Sequence, residues 1–146
     1  LTEGANMLFL LSVLNSYCND FLIRFKVTSH VNMFYAYQLP LPRLTPGNRY
    51  FDALVPRAAR LVCVRAEYGD LWQAVMGEGW DESKGTVDPG ERQRLRDEID
   101  AIVAHLYGLS REDFEHILGT FPLVFPDNEG GRVKRAALGK AYGGWG

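Results

Sequence analysis

The chain has 146 residues, of which 47% are hydrophobic, enough to bury one globular core. Its 16 Lys and Arg against 18 Asp and Glu leave a net charge of -2 and a pI near 5.9. That balance excludes the broad basic field behind autonomous, non-specific nucleic-acid binding, so any such contact has to be local.

No stretch reaches the roughly 18 consecutive apolar residues of a membrane span, because Ser12, Asn15, Ser16, Asn19 and Asp20 interrupt the first apolar segment. The opening residues also lack a basic region and a small-residue cleavage site, so no signal peptide and no membrane association are expected. A cytoplasmic protein is the simplest reading. The chain opens on Leu1 and runs almost at once into a helical pattern, which suggests a fragment of something longer.

In chain order, Met7, Leu10, Leu11, Leu14, Cys18, Phe21, Leu22 and Phe25 recur at three- and four-residue steps and predict one helix over 7–25. Its polar side would carry Asn15, Ser16, Asn19 and Arg24. The stretch "KVTSHVNMFYAYQ" is rich in β-branched and aromatic residues without helical period, and Pro40 and Pro42 follow. A short strand or extended segment is expected there.

Pro46-Gly47-Asn48 marks a turn, and 50–64 reads as helical in its second half, with Pro56 near a helix start or a kink. A short helix over 68–76 would anchor on Trp72. The glycine-rich "GEGWDESKGTVDPG" is the most loop-like part of the chain and the place where mobility is expected.

The strongest helix signal covers 89–107. Asp88 can cap it, Pro89 suits the first position, and Glu91 completes a capping-box-like start. Leu95, Ile99, Ile102, Val103 and Leu106 form its apolar stripe, and Gly108 stops it. Ser110 and Asp113 open the next helix, which should bury Phe114, Ile117, Leu118 and Phe121 before Gly119 and Pro122 end it. A basic helix over 132–142 and a frayed "GGWG" close the chain. The fold class is therefore mainly α with one short β or extended element. A single domain over 1–146 divides into a helix plus extended segment (1–44), a loop-rich part with short helices (45–87) and a helical scaffold (88–146).

Chemistry is sparse. Cys18 and Cys63 lie far apart with no ligand at metal spacing, and read as buried free thiols, a disulfide being the unsupported alternative. His105 and His116 fall within helices, while the macrodipole accounts for Glu112, Asp113 and Glu115 at a helix start. No glycine run has phosphate-loop spacing. The remaining polar and aromatic candidates crowd around the extended segment: Arg24, Lys26, Ser29, His30, Asn32, Tyr35, Tyr37, Gln38 and Arg43. Such side chains can contact phosphates and base edges or stack on bases. The alternative is a segment whose aromatics pack on the first helix.

Several motifs occur in a specific order: Leu14-Asn15-Ser16, Arg24 with Lys26, His30 with Asn32, Leu39-Pro40-Leu41-Pro42, Ile99-Asp100-Ala101, Ala104, Leu106-Tyr107-Gly108-Leu109-Ser110, Ile117-Leu118 and Phe121-Pro122. In that order the chain resembles the C-terminal part of large adenine-specific DNA methyltransferases of type II (IIG-like) restriction-modification and related phage-defence systems. The resemblance spans nearly the whole chain.

It implies a target-recognition or scaffold region that is non-catalytic in isolation. No cofactor is expected in this fragment, because the S-adenosylmethionine motif and the NPPY-type motif of that family belong to an upstream domain. The implied partners are that upstream methyltransferase domain of the same chain and double-stranded DNA, held through the intact enzyme. Arg24, Lys26 and Arg43 would meet phosphates, and His30, Asn32, Tyr35 and Tyr37 would lie at the DNA, with Asn32 and the tyrosines approaching bases. The rival expectation is a protein-interaction or oligomerisation module without DNA contact, docking through the apolar face of the first helix.

Overall fold

Polar residues that compete for the backbone decide where the first helices begin and end. In the computed structural model, which describes residues 2–26 and 37–146, α1 (Thr2–Leu14) stops at Asn15 and Ser16, and α2 (Tyr17–Arg24) starts anew. Asn15 Nδ2 donates to Leu11 O at 2.9 Å and Ser16 Oγ to Val13 O at 2.7 Å. Ser16 is extended (φ -78°, ψ 153°) and accepts from Asn19 N, so it is both the end of one helix and the cap of the next. The single helix expected over 7–25 is thus two.

The face that α1 buries also differs from the expected one. Ala5, Leu8, Phe9 and Val13 are buried, whereas Met7, Leu10, Leu11 and Leu14 are 41–65% exposed. Apolar residues surround this helix, so spacing alone offers two candidate stripes and cannot choose between them. Ser16 and Asn19, expected on the polar side, are buried.

The other helices are α3 (Arg49–Val62), α4 (Gly69–Met76) after a 3-10 turn (Ala66–Tyr68), α5 (Pro89–Leu106), α6 (Arg111–Gly119) and α7 (Glu129–Trp145). The chain is mainly α, with seven helices and no strand among the described residues. The expected β element has no counterpart there. Positions 27–36 lie outside the described residues, 37–39 form a turn and bend, and 40–45 are neither helix nor strand. None of the described helices is long and apolar enough to cross a membrane.

α3 begins at Arg49, earlier than expected, because Asn48 accepts from Tyr50 N and the Pro46-Gly47 turn feeds directly into that cap. Pro56 sits inside the helix and not at its start. It costs one ladder bond, which the burial of Leu54, Val55, Ala58 and Ala59 on either side offsets.

The glycine-rich 77–88 is a loop, as expected, but it is tied down. Trp80 Nε1 donates to Cys63 O at 2.7 Å, and Thr86 N to Arg60 O at 2.8 Å. Arg92 Nη1 donates to both Leu61 O and Thr86 O. These groups satisfy the last carbonyls of α3, which a helix otherwise leaves open. Gly85 lies so close to α3 that an added Cβ would stand 2.3 Å from Cys63 O.

α5 and α6 follow their sequence signals. Asp88 accepts from Glu91 N, Gly108 takes φ 69°, and Ser110 and Asp113 form a complete capping box. Glu91 turns its own carboxylate to Arg94 at 2.8 Å, so only half of the box forms at α5. Leu95, Ile99, Ile102, Val103, Phe114, Ile117, Leu118 and Phe121 are buried as expected, and so is Trp72 of α4. α7 packs along α5 and runs to Trp145, so the terminal glycines are not frayed. Trp145 packs near Tyr50, with the Arg49 guanidinium 5.1 Å from its ring. Buried residues of α1 to α7 join in one continuous apolar cluster, in which Cys18 and Cys63 are free thiols.

Candidate functional site

The four candidate DNA-contacting residues that are described fall at two places. Arg24, in the last turn of α2, spends its guanidinium within the molecule. Nε meets Asp20 at 3.1 Å, Nη1 donates to Thr120 O at 3.2 Å, and the cation lies 3.9 Å from the centre of the Phe121 ring. Lys26 follows it, exposed.

Tyr37 and Arg43 come together on the far side of 27–36. Both line a cleft of about 450 Å³ with Asn6 and Leu10 of α1, and Tyr37 is 80% exposed. Gln38 is exposed beside them. Ser29, His30, Asn32 and Tyr35 lie outside the described residues.

A polar knot, buried at its centre, is built on the α1–α2 break. Val13 O, near the end of α1, accepts from Ser16 Oγ and from Asn19 Nδ2, the latter at 2.8 Å. Asn19 Nδ2 also donates to the Tyr107 hydroxyl at 3.1 Å, and that hydroxyl donates to Pro40 O at 3.0 Å. One chain of hydrogen bonds therefore joins α1, α2, the end of α5 and the segment that follows 27–36. Asn19 Oδ1 is buried and accepts no bond among the described residues.

The knot has a second anchor. Asp100 of α5, 7% exposed, accepts the Tyr17 backbone N–H through Oδ1 at 2.8 Å, so it satisfies the first residue of α2 from 83 positions away. Burial pushes its carboxyl up to about 7; the Tyr17 N–H opposes the rise and the Asp97 charge adds to it. Burial, reinforced by Asp100, likewise pushes the Cys18 thiol up to about 12, which leaves it protonated and a poor nucleophile at neutral pH. The Tyr107 phenol is raised by burial against the pull of Asn19.

Sequence reasoning placed Asn19 on a solvated face and did not assign Asp100 or Tyr107 a site role. The signal that could have found Asp100 is its setting in "IDAIVA", where one acid interrupts an apolar run inside a helix. For Asn19 no such signal exists, since its burial follows from how α2 turns after the break.

His105 serves packing, while His116 is exposed. His105 Nε2 donates to Tyr142 O at 2.9 Å and its ring stacks on Tyr142 with centroids 4.0 Å apart. Among the described residues no three His, Cys, Asp or Glu side chains are grouped to hold a metal ion.

Two larger clefts flank α5. One, of about 630 Å³, lies between α5, α7 and Arg57 of α3. Its charges are largely matched internally, with Glu98 paired to both Arg57 and Arg94. The other, of about 530 Å³, lies between the end of α1, the end of α3 and α5, and Asp100 lines it. Comparison of the chain with protein-family models, with curated proteins and with solved structures finds no match.

Proposed function

We propose that this chain is the target-recognition or scaffold region of an adenine-specific DNA methyltransferase, holding duplex DNA beside a catalytic domain that supplies the S-adenosylmethionine chemistry. One observation carries this reading. Residues from four separate motifs of the resemblance, Ser16, Pro40, Asp100 and Tyr107, lie far apart in sequence and meet around Asn19 and the start of α2 in one hydrogen-bonded knot, buried at Ser16, Asn19 and Asp100 and open to solvent at Pro40.

The knot gives the chain on each side of 27–36 a fixed footing: α2 through Tyr17 and Asn19, and Pro40 through Tyr107. A rigid frame with exposed polar and aromatic side chains at its edges is a common way to present a binding segment. The edges carry Lys26 on one side and Tyr37 and Arg43 on the other, all exposed. Arg24 is better suited to steady α2 against Phe121 than to meet a phosphate.

The test is duplex binding as a function of salt. Each phosphate contact contributes about -0.9 to the slope of log affinity against log salt. Removing Lys26 and Arg43 together should flatten that slope by roughly two contacts' worth, while Arg24→Ala should leave it nearly unchanged. An unaltered slope in the double variant would remove DNA contact from the reading.

A second reading rests on the apolar outer face of α1. Met7, Leu10, Leu11 and Leu14 are exposed at heptad-like spacing, as in a helix that docks on another protein surface. Substituting Leu10 and Leu14 by Gln would then abolish a measurable association without changing the salt slope.

A further inference from the structure

The cleft between α1, α3 and α5 contains a buried acid with no counter-charge. Asp100 is more than nine-tenths buried and lines the cleft, and among the described residues its one hydrogen bond is that from Tyr17 N to Oδ1. Among the described residues no cation lies within ion-pair distance of it, although Arg96 sits one helical turn away on the same face of α5. A carboxyl so largely buried without an opposite charge is disfavoured in its ionised form, and a cation brought to it would favour that form.

Beside Asp100 the cleft offers further acceptors at the end of α1. The C-terminal turn of α1 enters it through Leu11, Ser12 and Asn15, bringing the negative end of a helix dipole. Asn15 spends its amide nitrogen on Leu11 O, which leaves its Oδ1 as an acceptor. The walls include Leu61 and Val62 of α3, both aliphatic. Arg92 also borders the cleft, but its guanidinium is committed to Leu61 O and Thr86 O at the end of α3.

The geometry points to a binding site for an aliphatic ammonium group, with the cation at Asp100 Oδ2 and the end of α1, and the hydrocarbon stem along Leu11, Leu61 and Val62. The stem takes the apolar walls and the head takes the acceptors, a division that suits an aliphatic ammonium better than a neutral alcohol or an anion. Other charged or titratable groups near Asp100 are Tyr17 and Cys18 of α2 and Arg92, Arg96 and Asp97 of α5. The lining residues of α1 and α3 carry no charge. The site is independent of any nucleic-acid role.

The test is a titration of the isotopically labelled chain with n-pentylammonium chloride at about pH 8, where Asp100 is ionised, following the Tyr17 amide by NMR. The expected result is a saturable shift of that amide, with affinity weaker by about tenfold or more for n-pentanol and for Asp100→Asn, the worth of a charge-assisted hydrogen bond. Arg96→Ala changes an exposed residue and should tighten binding by about threefold by removing a like charge at the rim.

If Asp100→Asn does not fold, the native chain itself decides: affinity should fall about tenfold between about pH 8 and about pH 5 as Asp100 takes up its proton. Nα-acetyl-lysine methylamide separates the sources. Binding as tight as pentylammonium assigns the cleft to a lysine of a partner chain, and weaker binding assigns it to a free amine. A Tyr17 amide that does not move, n-pentanol binding as well as the ammonium, or affinity unchanged by a folded Asp100→Asn or by pH would overturn the assignment.

Discussion

Two helices of this protein begin on a serine, and they are held in opposite ways. At α6, Ser110 Oγ accepts from Asp113 N while Asp113 reaches back to Ser110 N and Oγ, a closed exchange between residues three apart at the surface. At α2, Ser16 is buried; its hydroxyl accepts from Asn19 N and donates back to Val13 O, and the first amide of the helix is taken by Asp100 of α5. The first start rests on local groups alone, whereas the second is completed only once α5 is in place. Local capping fixes where a helix begins, and long-range capping also fixes what it packs against.

The sharpest way to break this contrast is through the charge on Asp100. Its carboxyl is raised from an ordinary 3.8 to about 7, so the folded chain keeps a proton that the unfolded chain loses between those values. The stabilisation is complete below about pH 4 and is lost as pH rises through about 7, a loss on the order of 4 kcal/mol in all. Urea denaturation across that range should show Asp100→Asn gaining on the native chain as pH rises. Parallel stability curves would mean that the carboxyl is not held in a dry site.

Asn19→Ala should cost about 2–3 kcal/mol, because it strips a donor from both Val13 O and the Tyr107 hydroxyl in a buried setting. The loss should be accompanied by exchange broadening of the Tyr107 ring signals, which a merely local cap would not produce.

The two serines can be compared directly. Ser16→Ala should cost about 2 kcal/mol and Ser110→Ala about 1 kcal/mol, since water replaces the lost acceptor only at the exposed site. Equal losses in chemical denaturation would show that the α2 junction draws little from its burial.

The same contrast explains how much could be read from the sequence. α5 and α6 were legible to within a residue or two, because Asp88, Pro89, Gly108, Ser110 and Asp113 act through neighbours three or four positions away. The apolar set of α6 was correct for the same reason: only one face of that helix is apolar. α1 was misjudged because it is apolar on nearly every side, so the face buried by Leu8, Phe9 and Val13 was chosen by α3 and α4 and not by spacing. Of the candidate site residues, Lys26, Tyr37 and Arg43 are exposed on either side of 27–36, and Arg24, also exposed, leans on Thr120 and Phe121.

By itself the sequence determined a mainly helical chain, two well-capped helices with their buried stripes, Trp72 as an anchor and Cys18 and Cys63 as buried thiols. Tertiary structure alone decided that Asn19 is buried, that Asp100 satisfies the start of α2, and that Asn19 and Tyr107 tie it to Pro40. The physical reason is range. Caps and turns are settled by groups a few bonds away, whereas a buried polar atom is satisfied by whichever partner the packing of distant helices brings within about 3 Å.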